Sequence, residues 1–510
     1  MILSECLIQV LKLWDKGILL LPDELMKMKL PLMLFQLLMQ TLQRQNADGS
    51  WGVRLPRELS AYAILALTNL CSLPFLGDLK PRVQQAITRG REFIILSGKN
   101  ELIMESRLRK TSLPANITEA YLLAALQTKY PTHVLSSSTG VINISEKGLK
   151  QYSFFFSKLK CTRNIEPWRI YGSVLEGYLF LPKLHSQRID MFDRAEMKDD
   201  KYLDFIAMTL TCANNLKPYR VSADVLFDMM ILTLRAYQID EFVEHVVAKN
   251  FGDKLDEVEN LIRDLFENEN ENDGVPVAEL NGKSTSGSNT IHVNSKQDFL
   301  EIRDKLKAFA DRILQHPSVT TAHAYDQKLL KSELQSYLLA HIAQIHDSTA
   351  YYARYRIPQN SYNTWVRSTG AAHVFVTFSL AYLQCLIKLD PSTTISAEER
   401  YIAQDIWLHL AKKVRMENDR PCLARDRKEQ NLNSLDFPEF RTAGKEHVAA
   451  SKEQITLVIL YEKRRYRMAL RELERVVGRS SRAVIMLRWY AFLTDVVGDV
   501  YALRDISVEA

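Results

Sequence analysis

Strand signals, paired cysteines and glycine-rich nucleotide loops are all scarce or absent in this chain of 510 residues. Its six cysteines, at 6, 71, 161, 212, 385 and 422, make no Cys-x-x-Cys pair and no metal-ligand spacing. That excludes a disulfide scaffold and a zinc ribbon, and the thiols read as reduced, structural groups of a cytoplasmic protein. No Gly-x-x-x-x-Gly-Lys-Ser/Thr loop, Gly-x-Gly-x-x-Gly turn or Gly-x-Ser-x-Gly elbow occurs, so P-loop, dinucleotide and serine-hydrolase chemistry drop out. His323, His341, His346 and His373 form no His-Glu-x-x-His set and read as structural side chains. A net charge of +5 with no basic block interleaved with aromatics excludes a nucleic-acid binder. The apolar runs near Gly17–Leu21 and Leu30–Met39 are broken by Pro22, Asp23, Glu24, Lys27 and Lys29, so neither reads as a membrane span. Glu5 and Asp15 spoil a secretory leader, which leaves the sequons at Asn116 and Asn143 unused.

What the chain has is helical periodicity and length enough for two or three domains. Hydrophobic residues at 46% and charged residues at 25% suit a soluble globular protein. Apolar spacing near 3.6 recurs over 296–315, 319–346, 373–389, 397–413 and 452–477, which predicts an all-α fold. The organising stretch is Tyr237-Gln-Ile-Asp240-Glu241-Phe-Val-Glu244, three carboxylates on an otherwise apolar segment. Ser222 is a candidate N-cap and Gly252 a stop, so Asp240 would lie roughly 27 Å along one buried helix. On that helix Asp240 and Glu244 share a face one turn apart, with Glu241 beside them. Gathering ionised carboxylates in apolar surroundings is costly without cations, and oxygen-only donors suit Mg²⁺. Alone, the pattern is equally that of a solvated acidic helix end.

A second oxygen-rich segment lies far downstream. Asn418, Cys422 and Asp426 are spaced i, i+4, i+8, on one face if the segment is helical, although Pro421 argues against helix there. The two words, Asp-Glu-x-x-Glu and Asn-x(7)-Asp, resemble the metal-binding motifs of class I terpene cyclases. With Leu226-Phe-Asp-Met-Met230, Trp365-Val-Arg367-Ser-Thr-Gly370-Ala371 and Asn431-Leu-Asn-Ser-Leu-Asp-Phe-Pro-Glu-Phe440, nearly the whole chain resembles the fungal copalyl diphosphate/kaurene synthases. Two earlier features agree. Gln45-Asn-Ala-Asp-Gly-Ser-Trp51-Gly52 resembles the QW motif of cyclase α/α-barrels, although it can also be an ordinary turn. Ala61-Tyr62-Ala-Ile-Leu-Ala66-Leu67 recurs as Ala120-Tyr121-Leu-Leu-Ala-Ala125-Leu126, which suggests equivalent inner helices of a barrel.

The resemblance implies a terpene synthase fold: a partial α/α-barrel β domain over 1–188, then a class I α-helical bundle over 189–510 with a flexible loop at 268–295. The class II Asp-x-Asp-Asp motif, which supplies a proton in this family, is absent, as if the front portion were missing; Asp199-Asp200 is no substitute. The implied activity is Mg²⁺-dependent ionisation of copalyl diphosphate and carbocation cyclisation to a polycyclic diterpene of the kaurene type. Asp240, Glu241 and Glu244 would bind one metal group, and Asn418, Cys422 and Asp426 the other, with three Mg²⁺ ions in all. The family usually has Ser, Thr or Gly where Cys422 stands, and a thiol is a poor ligand for Mg²⁺. Arg367 and Arg425 are the candidate diphosphate ligands, or surface ion-pair partners. Tyr237, Phe227, Trp365 and Phe375 are candidate aromatic walls for a cation, or plain core. The expected partners are a prenyl diphosphate substrate and a separate class II cyclase. The rival readings are a class I enzyme acting directly on geranylgeranyl diphosphate and an inactive relative with a structural role.

Overall fold

The computed structural model describes residues 2–101, 115–130, 144–187, 202–267, 291–354, 361–368, 371–387, 395–440 and 447–503. Among them the chain is helical with no strand, as the periodicity predicts, and the bridge between Gln45 and Trp51 is isolated. No helix among the described residues is long and apolar enough to cross a membrane. The chain divides into two compact units, Met1–Ser186 with Ala207–Leu216, and Gln187–Ile206 with Lys217–Ala510.

The first unit is built from α1 (Ile2–Asp15), α2 (Leu30–Gln43), α3 (Pro56–Leu70), α4 (Lys80–Glu101), α5 (Ala115–Gln127), α6 (Glu146–Ser157), α7 (Pro167–Ser186) and most of α8 (Leu203–Asn215). Leu34, Phe35, Leu38, Ile64, Leu67 and Ile87 are fully buried between α2, α3 and α4. The QW-like turn staples these helices. Gln45 Nε2 donates to Gly49 O at 3.1 Å and to Ala86 O of α4 at 2.9 Å, while Trp51 Nε1 donates to Thr41 O of α2 at 2.7 Å. Both residues belong to one turn, and their side chains reach outward to two helices. Gly90 makes room for the indole: a Cβ there would lie 2.6 Å from the Trp51 ring. The repeat brings Tyr62 and Tyr121 edge to face at 5.1 Å between α3 and α5. The two copies are not equivalent, however, because Ala61 and Ile64 are buried whereas Ala120 and Leu123 are exposed.

The second unit contains α9 (Ala223–Glu241), α10 (Ala248–Phe251), α11 (Leu255–Glu267), α12 (Ile291–Leu314), α13 (Pro317–Thr320), α14 (Ala324–Arg354), α15 (Tyr362–Ser368), α16 (Ala371–Leu386), α17 (Ala397–Glu429), α18 (His447–Val477) and α19 (Arg482–Leu503). Residues 268–290 of the expected loop lie outside the described residues, and 291–295 belong to α12. α16 packs on α9, α14 and α17, and α17 packs in turn on α18 and α19. Trp489, Tyr337, Phe309 and Phe378 are among the large side chains buried in this bundle. Its interior also holds charge. Lys413, fully buried, donates to Thr494 at 3.0 Å and pairs with Asp495 at 2.8 Å and Glu417 at 3.1 Å; Lys463 closes the cluster on Glu417 at 2.9 Å.

Candidate active site

The acidic stretch forms as expected at its start. Ser222 is extended and its side chain accepts from Val225 N, so α9 begins with an N-cap. Met229, Met230, Leu232 and Ile239 bury most of its circumference, and that burial carries Asp240 into the bundle. The helix then departs from expectation. Phe242–Val247 is a π-helical turn that runs into α10, with Gly252 as its C-cap. A π turn closes i→i+5 bonds, so Glu244 lags behind the line through Asp240 instead of stacking one α-turn beyond it. π turns inside α-helices are rare and concentrate at functional sites.

Asp240 is anchored by α14. Its Oδ1 accepts from Tyr337 Oη at 2.5 Å, and His341 Nε2 lies 2.8 Å from the same oxygen. Both partners are buried, whereas the Asp240 side chain keeps 36% of its surface exposed. Burial alone would push the His341 imidazole down, but Asp240 and Glu244 outweigh it and raise it above the usual value. Burial, and then the Asp240 charge, push the Tyr337 hydroxyl far up, so it stays a donor.

The downstream word lies inside α17, which continues through Pro421. The proline deprives the Glu417 carbonyl of its usual donor without ending the helix, because α18 and α19 hold the segment by packing. Asn418, Cys422 and Asp426 therefore do share a helical face, with Cys422 Sγ 3.7 Å from Asn418 Oδ1. Gln430, in a left-handed conformation at φ 59°, ends α17 and turns the chain back. The returning 3₁₀ segment carries Asn433, which donates to Asp426 Oδ2 at 2.7 Å and to Asp419 O at 2.8 Å. Arg425 reaches Asp426 Oδ1 at 3.2 Å. Asp419 faces inward, bound by Arg415 Nε at 2.8 Å and by Ser434 N at 2.8 Å. Burial, with the neighbouring Asp419 charge second, pushes the Asp426 carboxyl up to about 6.

A tyrosine cluster places the two words in one neighbourhood. Tyr202 stacks on Tyr237 with centroids 4.5 Å apart, and Tyr237 Oη lies 3.2 Å from Tyr501 Oη. Burial raises the Tyr202 hydroxyl most, followed by the charge of Glu241, with the charges of Arg425 and Asp240 also acting on it. Burial likewise raises Tyr501, on which Cys422 and Arg425 act in turn. The charges of Glu241 and Asp240 from the first word and of Arg425 from the second thus act on one phenol, Tyr202.

Searches for relatives return fungal proteins. The chain is 30% identical to the pimaradiene synthase of Emericella nidulans over all of its own length and 54% of the relative's. It is 30% identical to the ent-kaur-16-ene synthase of Fusarium fujikuroi over 99% of itself and 55% of that protein, and 28% identical to the phyllocladan-16-alpha-ol synthase of Phomopsis amygdali over 94% and 52%. This chain is a homologue of the fungal diterpene synthases. It spans about half the length of the curated relatives it matches. No protein-family model and no solved structure matches it.

The surroundings of the other candidates in this diterpene synthase homologue differ. Arg367 is exposed on α15, and its charge is felt at Lys412, which faces Glu462 of α18 at 3.7 Å. Gly370 lies outside the described residues. Trp365 is core: it donates to Asp347 at 2.8 Å and packs against Phe437 at 4.7 Å. Phe375 flanks Tyr337 at 5.8 Å on the Asp240 side of the bundle. A small cavity of about 40 Å³, lined by Tyr325, Gln384, Arg400, Trp407 and Leu487, sits at the N-terminal ends of α17 and α19, away from the acids. Sequence reasoning missed Tyr202, Tyr337, His341, Asn433 and Tyr501. The signal for two of them was Tyr337-x-x-x-His341, two polar side chains one turn apart on a face that must be buried.

The donor chemistry at Asp240, Glu241 and Glu244 fits Mg²⁺, being carboxylate oxygen only. Asn418 adds an amide oxygen, but both Asp426 oxygens already have protein donors and Cys422 adds only sulfur. No three His, Cys, Asp or Glu side chains among the described residues converge on one point. Any ion here would therefore complete its shell with water and substrate oxygens, which is the habit of Mg²⁺.

Proposed function

We propose that this chain is a class I diterpene cyclase that ionises copalyl diphosphate and closes the resulting cation to a polycyclic diterpene of the kaurene type. The observation that supports this best is that the Asp240 and Glu241 carboxylates and Arg425 all act on Tyr202, which stacks on Tyr237 at 4.5 Å. The reading also draws on the relatives, whose names are those of pimaradiene, kaurene and phyllocladanol synthases.

In this reading Asp240, Glu241 and Glu244 bind one set of Mg²⁺ ions, and Asn418 and Asp426 face them from α17. Bound Mg²⁺, three ions in all, supplies the positive charge that stabilises diphosphate as it departs. Arg425, beside Asp426 with 22% of its side chain exposed, would hold the diphosphate. Arg367, exposed on α15, is the second guanidinium candidate for the same anion. The phenols of Tyr202, Tyr237 and Tyr501, raised by burial, stay neutral and line the site without offering a base that would quench a cation. Phe375, half-buried 5.8 Å from Tyr337, gives an aromatic face from which a cation gains about 0.5–2 kcal/mol. The substrate would arrive from a separate class II cyclase.

The deciding experiment incubates purified protein and Mg²⁺ separately with geranylgeranyl diphosphate and with each copalyl diphosphate stereoisomer, followed by gas chromatography–mass spectrometry. A hydrocarbon or alcohol from one copalyl isomer alone is the expected result. Product from geranylgeranyl diphosphate would replace the proposed substrate, and no product from any of them with the chain folded would overturn the enzyme reading.

A further inference from the structure

Asp240 is held by one oxygen only. Tyr337 Oη, 2.5 Å away, and His341 Nε2, 2.8 Å away, both meet Oδ1. The hydroxyl donor and the imidazole stand one turn apart on α14, and their rings touch edge to face with centroids 4.8 Å apart. Tyr337 is itself fixed: it stacks on Phe378 at 5.3 Å with the rings 17° from parallel, and its hydroxyl also lies 3.4 Å from Ala236 O. Both residues are 1% exposed, so neither can turn away to water. A carboxylate oxygen met by two buried side chains is restrained, and Oδ2 makes none of the contacts that hold it.

We propose that Tyr337 and His341 are positioning residues that hold Asp240 with Oδ2 aimed at a divalent cation. The proposal rests on the reading of Asp240 as a metal ligand. Its content is additional, because these two side chains touch neither the ion nor the substrate and act through the aspartate. Donors that orient metal ligands commonly change metal affinity or activity by about 10–100-fold when removed. Both ring nitrogens of His341 are buried without a hydrogen bond of good geometry, so the 2.8 Å approach of Nε2 to Asp240 is an ion-pair contact, and the ring is retained for the charge it faces.

The test uses the full chain with Tyr337→Phe, His341→Gln and Asp240→Asn. Mn²⁺ binding in the presence of inorganic diphosphate is followed by electron paramagnetic resonance of the free aquo ion, which needs no turnover. Circular dichroism and thermal midpoints without metal report the fold. The expected result is that Tyr337→Phe and His341→Gln each weaken Mn²⁺ binding about 10-fold or more, while Asp240→Asn weakens it further. The half-saturating Mg²⁺ for turnover should rise in parallel, with kcat recovered at high Mg²⁺. Unchanged Mn²⁺ affinity in both α14 variants, with Asp240→Asn impaired, would overturn the positioning role and leave the functional reading intact. A loss of kcat at every Mg²⁺ concentration with no shift in half-saturation would mark a structural role and also overturn the proposal. Equal Mn²⁺ binding by Asp240→Asn and the parent would remove Asp240 as a ligand and take both readings with it. Tyr337→Phe, which keeps the ring and its stacking, decides the matter if His341→Gln does not fold.

Discussion

Lys413→Met removes the cation from the interior of the α17–α18–α19 interface and leaves its shape nearly unchanged. The ammonium is fully buried, pairs with Asp495 at 2.8 Å and Glu417 at 3.1 Å, and donates to Thr494 at 3.0 Å. Without it two largely buried carboxylates stand together, with Lys463 at 2.9 Å from Glu417 and 3.5 Å from Asp495, and the charge of Arg467, as remaining counter-charges. Breaking a buried ion pair by removing one partner costs about 3–5 kcal/mol, and Lys463 should keep the loss near 3. For a unit of this size that is a fall of about 6–12 °C in the unfolding midpoint, at about 2–4 °C per kcal/mol. The pH dependence has a definite sign. Burial pushes the Asp495 carboxyl up, but Lys413 and Lys463 outweigh it and hold it below the ordinary 3.8. Its contribution is therefore complete above the unfolded value and disappears as pH falls through the lowered folded one. In Lys413→Met the penalty should be largest near neutral pH and shrink on acidification, as the stranded carboxylates take up protons. Urea unfolding followed by near-ultraviolet circular dichroism at several pH values measures this. A variant within about 0.5 kcal/mol of the parent at neutral pH, the range of ordinary surface substitutions, would refute the argument. So would a penalty that does not change with pH.

Three further outcomes follow from the geometry. Cys422→Ser puts a hard oxygen on the Asn418–Asp426 face, so the half-saturating Mg²⁺ in a turnover assay should fall severalfold. Trp51→Phe loses the bond to Thr41 O and should cost about 1 kcal/mol in the unfolding transition of the first unit, whereas Trp51→Ala, which also leaves a cavity, should cost about 3–5. Asn433→Ala strands Asp426 Oδ2 and the Asp419 carbonyl; thermal unfolding should show a loss of about 2 kcal/mol or more, with weaker Mg²⁺ binding in the same protein.

Legibility in the sequence divided along the line between local and distant causes. The Ser222 cap, the helical face carrying Asn418, Cys422 and Asp426, and the packing turn at Gln45–Trp51 are written within a few residues of where they act. α19 left no periodic trace because it is apolar on nearly every side, from Val484 to Val500, and a helix buried all round has no stripe to read. Pro421 misled for the opposite reason: its local veto on helix is overruled by packing along α17. The partners of Asp240 lie 97 and 101 positions downstream, and no spacing rule connects such residues before the fold does. Asp419, adjacent to Asn418 and chemically suited to a metal, is instead an internal strut for Arg415 and Ser434. Composition could not separate those roles, since both call for a carboxylate.

The π turn at Phe242–Val247 amounts to one surplus residue in an otherwise α-helical count. Everything after it is rotated by about 100°, one residue's worth, relative to the chain before it. Phe251, buried at the end of this stretch, is packed in that shifted register. Closing 242–247 as plain α-helix with the residue count unchanged would bring the last acid into line with Asp240, but it would also turn Val247 and Phe251 off their present neighbours. The helix thus has two masters, the acidic site before the offset and the hydrophobic seat after it, and the extra residue is what lets each keep its own phase.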